Sequence, residues 1–464
     1  MAARPVERVG TPASPSESLL RASLAPGNVA SLTALLGDDA AVLRDRNYQL
    51  LLLSNVPPVI GTALLSPVLD SLVEPLGTTQ TDVGLLISVF TAPGILVVPV
   101  AGVLADRYGR KPVLVAALLL FGLAGTAIAF TTDFRVALGL RLLQGVGFAG
   151  IVPTLITSIG DLYTGSREAT AQGLRFTVSG LSQAAFPLLA GVLVATAWQY
   201  PFLLFAVALP SAAAVVVWFE EPTAVDASAE ATDGGRDPGG PGEAVDWEEG
   251  DSYGRALAGL VARPRVLALV VGRTLPVVVW IGFLTYNSII VVDLMGGTPA
   301  EAGLLTAVGS VSFAGAASQA GRITGFFDSR FYPLVAANCC LLAGLAVVLF
   351  APGLALAAVG ILITGVGFGT ALSLYRSIVT GLASQSLRAG LVSVAEAGGR
   401  VTATVTPIAM GAAIAALAPN LGFGPAVRLV GLGTAVVGGG GGLVCLVVAR
   451  LSTPAPAESE SAGG

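Results

Sequence analysis

The 464-residue sequence is 54% hydrophobic and only 11% charged, with a net charge of −5 and a mean hydropathy of +0.81. Soluble globular chains carry about 25% charged residues, so this composition excludes an ordinary water-soluble domain and points to a surface facing hydrocarbon. Histidine is absent, and the three cysteines (Cys339, Cys340, Cys445) all lie in apolar runs. That excludes histidine-ligated metal sites, Ser-His-Asp triads and Cys-His dyads, and argues against a disulfide framework.

Residues 1–46 are polar and rich in Ser, Pro and Gly, with no apolar core of the kind a signal peptide needs; they are expected to form a tail. A helix crossing ~30 Å of hydrocarbon needs roughly 20 apolar residues. Charge-free runs of that scale follow in order at 47–69, 83–105, 112–132, 142–160, 176–219, 274–292, 302–321, 331–375, 401–427 and 429–449. Two of them are long enough for two crossings and carry mid-run turn signals, Trp198-Gln199-Tyr200-Pro201 and Ala351-Pro352-Gly353. Twelve helices are therefore expected. Between them, residues 220–263 are rich in Glu, Asp, Gly and Pro and read as a solvated, disordered linker. The expected organisation is a tail 1–46, a six-helix bundle 47–219, an acidic linker 220–263, a second six-helix bundle 264–450 and a tail 451–464.

With the N-terminus on the cytoplasmic side, seventeen of the 24 basic residues fall in cytoplasmic segments and two, Arg135 and Arg428, on the opposite side. This positive-inside bias places both termini and the linker in the cytoplasm, as in a multi-pass protein of the cell membrane. The bundles also repeat. Val83-Gly84-Leu85-Leu86 to Gly102 returns as Ala302-Gly303-Leu304-Leu305 to Gly321, offset by 219, and Gly145-Val146-Gly147-Phe148 returns as Gly365-Val366-Gly367-Phe368, offset by 220. Two parallel six-helix repeats about a linker are the internal symmetry of an alternating-access transporter.

Between helices two and three the sequence reads Gly102-Val103-Leu104-Ala105-Asp106-Arg107-Tyr108-Gly109-Arg110-Lys111, and helix four carries Arg141-Leu142-Leu143-Gln144-Gly145-Val146-Gly147. Both stretches resemble signature motifs of the major facilitator superfamily, over about residues 47 to 450, and more loosely its drug:proton antiporter branch. The resemblance implies an all-α fold of twelve transmembrane helices in two six-helix pseudo-repeats. It also implies that Gly102, Asp106, Arg107, Gly109, Arg110, Asp161 and Arg388 form a conformational latch. Asp106 would face Arg388 at the start of helix eleven in the outward-open state, and Arg110 would meet Asp161. On physical grounds Gly102 and Gly109 permit close backbone approach and a tight turn, while the charged residues read equally as topology determinants. The second half departs from the motif: Asp106 corresponds to Gly325 and Arg110 to Ser329, leaving Arg322, Asp328 and Arg330. Helix five offers Gly180, Pro187 and Gly191 but has Phe186 where the antiporter motif has glycine, so the match to that branch is incomplete.

Ionisable residues inside a membrane cost roughly 2.5–3.5 kcal/mol on insertion scales and mark candidate sites. Here they are Arg141 on helix four, Arg273 on helix seven, and Glu396 and Arg400 four apart on helix eleven, where they can pair. Pairing would leave Arg141 and Arg273 to favour an anionic substrate. Alternatively Glu396 carries a proton in a coupled cycle, or the pair is an inter-helix staple. Gln144 and Asn55 are further candidates for substrate contact, Asn55 because Pro57-Pro58 should open helix one beside it. The expected function is gradient-driven transport of a small solute by alternating access, with efflux of small organic compounds ahead of anion uptake or exchange. A non-transporting receptor or scaffold that retains the fold is the reading of another class. Catalytic residues, a metal and a cofactor are not expected. The only P-loop candidate lysine, Lys111, lacks the P-loop pattern. The expected partners are a small-molecule substrate, a proton or other coupling ion left open, and the lipid bilayer, with no nucleic acid.

Overall fold

The structure, a computed structural model, describes residues 42–221, 250–325, 327 and 329–452. Asp328 and most of the expected tails and linker (1–41, 222–249 and 453–464) lie outside the described residues. The chain is a polytopic all-α membrane protein. Among the described residues eleven helices are long and apolar enough to span a bilayer: α2 Leu85–Tyr108, α3 Arg110–Phe130, α4 Phe134–Leu162, α5 Thr170–Val194, α6 Tyr200–Trp218, α7 Pro264–Leu294, α8 Pro299–Arg322, α9 Phe331–Phe350, α10 Leu354–Gly381, α11 Gly390–Leu421 and α12 Phe423–Leu451. The twelfth, α1, precedes them as two segments, Arg46–Ser54 and Val56–Ala63, continuing in turns to residue 76. It falls short as a single rod because Pro57 and Pro58 bring no backbone N–H.

Local chemistry starts these helices where the charged residues sit. Asp45 caps α1 by accepting from the Asn47 backbone N–H at 2.8 Å, and Asp133 caps α4 by accepting from that of Arg135 at 2.7 Å. At the Asp45 end the bundle is tied by the Tyr163 hydroxyl, just past the end of α4, which donates to Asp45 Oδ2 at 2.5 Å. Burial first, and the neighbouring carboxylate second, push that phenol well above its usual range.

Hydrocarbon offers no hydrophobic drive between helices, so association depends on close backbone packing at small residues. The sequence repeat is a packing repeat. A Cβ on Gly147 would lie 2.7 Å from the Ala117 carbonyl of α3, and one on Gly367 would lie 2.7 Å from the Ala337 carbonyl of α9. Gly145 backs onto the Phe90 carbonyl of α2, as Gly365 backs onto that of Gly309 in α8. Phe148 then packs on Phe90 at 5.0 Å and Phe368 on Phe313 at 5.2 Å between ring centres. Two buried apolar clusters result, one drawn from Val42 to Phe219 and the other from Ala268 to Ala449.

The face bearing residues 221 and 250 is called here the linker face, and its opposite the far face. One part of the stretch expected to be disordered is not: Gly250–Val261 is a helix. Leu257, Leu260 and Val261 share one side of it and pack with Val266, Val379, Leu391 and Ala395. The acidic, Gly/Pro-rich composition ends near residue 250, and a helical apolar spacing begins there.

Candidate functional site

The halves meet at the far face. Ser66 and Thr306 share a hydrogen bond at 3.2 Å, and Asn287 Nδ2 donates to Ser66 at 3.3 Å and to Thr306 at 3.0 Å. Ser288 donates to the Pro67 carbonyl at 3.0 Å, and Gln80 bridges Asp70 and Asp293. Backbone approaches backbone where Gly191 of α5 sits on Pro299 and Gly303 of α8 sits on Pro187. Midway along, Thr91 and Thr404 join at 3.1 Å. Toward the linker face the contacts stop, and Gly102, Gly173 and Gly315 have nothing within 4 Å of a Cβ position. Gly102 therefore makes no close approach in this conformation.

The motif residues divide accordingly. Gly109 turns the chain at φ +95°, a conformation that favours glycine, and a Cβ there would strike the Glu221 carboxylate at 2.9 Å. Glu221 accepts from the backbone N–H groups of Arg110 and Lys111, capping α3, and Lys111 Nζ donates to the Phe219 carbonyl at 2.7 Å. Arg110 pairs with Asp161 at 2.8 Å and with Asp106. Asp106 is 70% exposed and Arg388 is exposed, so the two are not joined here. The Arg107 guanidinium lies over the Tyr108 ring.

Two of the expected substrate residues lie elsewhere. Arg141 is 1% exposed and Gln144 is fully buried inside the first bundle. The Arg141 guanidinium donates to Gln144 Oε1 at 2.5 Å and to the Leu86 carbonyl at 3.1 Å, and it stacks 4.1 Å over Phe90. With a further bond to the Gly61 carbonyl at 3.4 Å it knits α1, α2 and α4. Asn55 is also buried, donating to Ser179 Oγ at 2.8 Å and to the Arg175 carbonyl at 3.3 Å across α1 and α5.

The helix-eleven pair is corrected too. Glu396 binds Arg273 of α7 at 2.5 Å rather than Arg400, because the fixed distance between facing helices suits the short carboxylate better than the next turn of its own helix. Arg273 is therefore paired. Arg376 of α10 lies 3.7 Å from the same carboxylate oxygen. Arg400 lies near enough to feel Glu396, with its Nη1 against Gly94 of α2 in the other bundle. Arg175 of α5 is 6% exposed, lies over the Phe176 ring at 4.5 Å, and donates to Gln172 Oε1 at 3.0 Å and to Asn55 Oδ1 at 3.5 Å. Arg175 and Arg376 escape a reading that takes ionisable residues as span ends, since each borders a charge-free run. Their signal is depth, with Arg175 ten residues past the helix start at Gly165 and Arg376 five before the end of α10. Among the described residues no group of three or more Cys, Asp or Glu could hold a metal ion.

Residues 51–407 match the Major Facilitator Superfamily. The chain belongs to that superfamily. The chain is similar to the bacillibactin exporter of Bacillus subtilis (strain 168), 36% identical over 159 residues, which are 32% of this chain and 40% of that protein. The quinolone resistance protein NorA of Staphylococcus aureus (strain Mu50 / ATCC 700699) is 27% identical over 143 residues, 31% of this chain and 37% of NorA. The 4-hydroxybenzoate transporter PcaK of Pseudomonas aeruginosa is 32% identical over 170 residues, 35% of this chain and 36% of PcaK. The matched stretches thus span no more than two fifths of these curated relatives. Among solved structures, a bacterial homologue of the human lysosomal transporter Spinster, in an inward-facing and unoccupied conformation, superposes with TM-score 0.72 at 16% identity, covering 88% of this chain and 98% of that one. A D-xylose-proton symporter gives TM-score 0.63 at 13% identity, covering 84% and 96%. At such identities these structures speak for the fold alone. The chain is thus a multi-pass member of the major facilitator superfamily.

Proposed function

We propose that this chain carries a small organic solute across the cell membrane by alternating access, exporting it at the expense of an ion gradient. The observation that carries the reading is the asymmetry of the seam: hydrogen-bonded and backbone-close at the far face, with Gly102, Gly173 and Gly315 uncovered toward the linker face. A midplane site reached from one side at a time needs such a seam. Export is supported by the likeness to the bacillibactin exporter. The excess of Arg and Lys on the linker side supports a cytoplasmic linker and termini, which makes this conformation inward-open. In that state the Asp106–Arg388 latch is released, in keeping with a role in the outward-open state.

Anion uptake or exchange is the second reading, favoured by the arginines between the bundles and by the likeness to a 4-hydroxybenzoate transporter. Purified protein in liposomes, with imposed pH and potential gradients, tests transport directly. Solute movement that collapses with the gradient is the expected result. Binding without movement under any gradient would make the chain a receptor or scaffold instead.

A further inference from the structure

We infer that the gap between the bundles is an oxyanion-binding site, with Arg376 and Arg400 as its ligating residues and a carboxylate-bearing organic molecule as its substrate. The inference rests on the transport reading above and names its substrate class. Three guanidiniums lie about one carboxylate, Glu396: those of Arg273 and Arg376 by direct approach, and that of Arg400 one turn along the same helix. Glu396 is satisfied by Arg273 at 2.5 Å, and its reach to Arg376 is a long 3.7 Å. Arg400 makes no ion pair among the described residues and is held against Gly94 across the seam. Uncompensated charge at membrane depth is costly, and planar guanidinium forks from several helices match a carboxylate or phosphate bidentately. The missing counter-charge is the substrate's.

The placement also couples binding to movement. Arg400 belongs to the second bundle yet lies against Gly94 of the first, so an anion that it holds sits on the seam that must move. A ligand shifts such an equilibrium only by its differential affinity for the two states.

Two measurements test the proposal. The first reads the local potential without any substrate. Ser393 is exposed on α11 one turn from Glu396; Ser393→Cys is made with Cys339, Cys340 and Cys445 replaced by alanine. The rates of modification by anionic and cationic methanethiosulfonates are then compared. The anionic-to-cationic ratio is expected to exceed that of a free thiol at least tenfold and to fall at least threefold on adding Arg376→Gln. A ratio at or below the free-thiol value overturns the site. The second measures thermal stabilisation by benzoate, benzamide and inorganic phosphate. Stabilisation by benzoate but not benzamide, lost in Arg400→Gln, is expected. Phosphate acting where benzoate fails overturns the organic substrate while leaving the oxyanion site, and equal action of benzamide overturns both. Absent flux in liposomes with a high reagent ratio would sink the transport reading alone, and flux with a low ratio would sink this inference alone.

Discussion

Glu396→Gln is the most informative single change, because it removes the one carboxylate facing Arg273 while keeping the side-chain shape. Arg273 has a side chain only 6% exposed, and its Nη2 lies 2.5 Å from Glu396 Oε1. Two unit charges about 4 Å apart attract by about 4 kcal/mol at an effective dielectric of about 20. Glu396 is 40% exposed, so water screens part of that attraction, and the expected loss is about 1–3 kcal/mol. Unfolding midpoints in one detergent give the cost, and the cycle with Arg273→Gln gives the coupling. The double variant should be less destabilised than the sum of the two singles by a similar 1–3 kcal/mol. Additivity within about 0.5 kcal/mol would show that the pair contributes nothing and would refute the reasoning. The same variant reports on coupling. If Glu396 carries the proton, pH-driven flux is lost in Glu396→Gln, and an unchanged pH dependence removes that role.

Three further outcomes are expected. Asp106→Asn should slow turnover several-fold while leaving substrate affinity within about twofold, since its partner Arg388 is engaged only after the linker face closes; normal turnover in stopped-flow flux would remove the latch from the account. Gly303→Leu should cut flux at least tenfold while the protein stays folded, because a side chain there meets the Pro187 backbone at the far-face seam; Ser66→Cys should then label from the far side, and failure to label would show the seam still closing. Tyr163 has its phenol raised by burial and by Asp45, so its contribution is complete below the unfolded value near pH 10 and is lost as pH climbs beyond it. Tyr163→Phe should flatten the fall in thermal stability above that pH, and an unaltered alkaline slope would count against this assignment.

Much of the fold was legible because lipid imposes one rule, that backbone polar groups be satisfied within the segment, and charge-free length reports it. The paired Gly-Val-Gly-Phe stretches were informative for a further physical reason: each glycine sits where two helix backbones touch, and only a missing side chain permits that. The site was harder to read. Spacing along a helix does not reveal which neighbour each face meets, so nothing in the sequence signals that Arg141 is buried inside the first bundle. Glu396 and Arg400 satisfy the rule for same-face pairs, yet Arg273 from a facing helix wins the carboxylate. Arg175 and Arg376 were passed over because long helices project beyond the hydrocarbon, so a charge at the edge of an apolar run can still be deep in the protein.

The clasp between Glu221 and the start of α3 has a kinetic consequence. A free surface loop rearranges in nanoseconds to microseconds, whereas collective domain motion takes microseconds to milliseconds. With its far end clamped to the base of α6 through Glu221 and Lys111, the α2–α3 turn has no independent travel. Any engagement of Asp106 with the opposite half is thereby slaved to the slow clock of the entire bundle, and an intact clasp gives the gate no rapid flicker of its own.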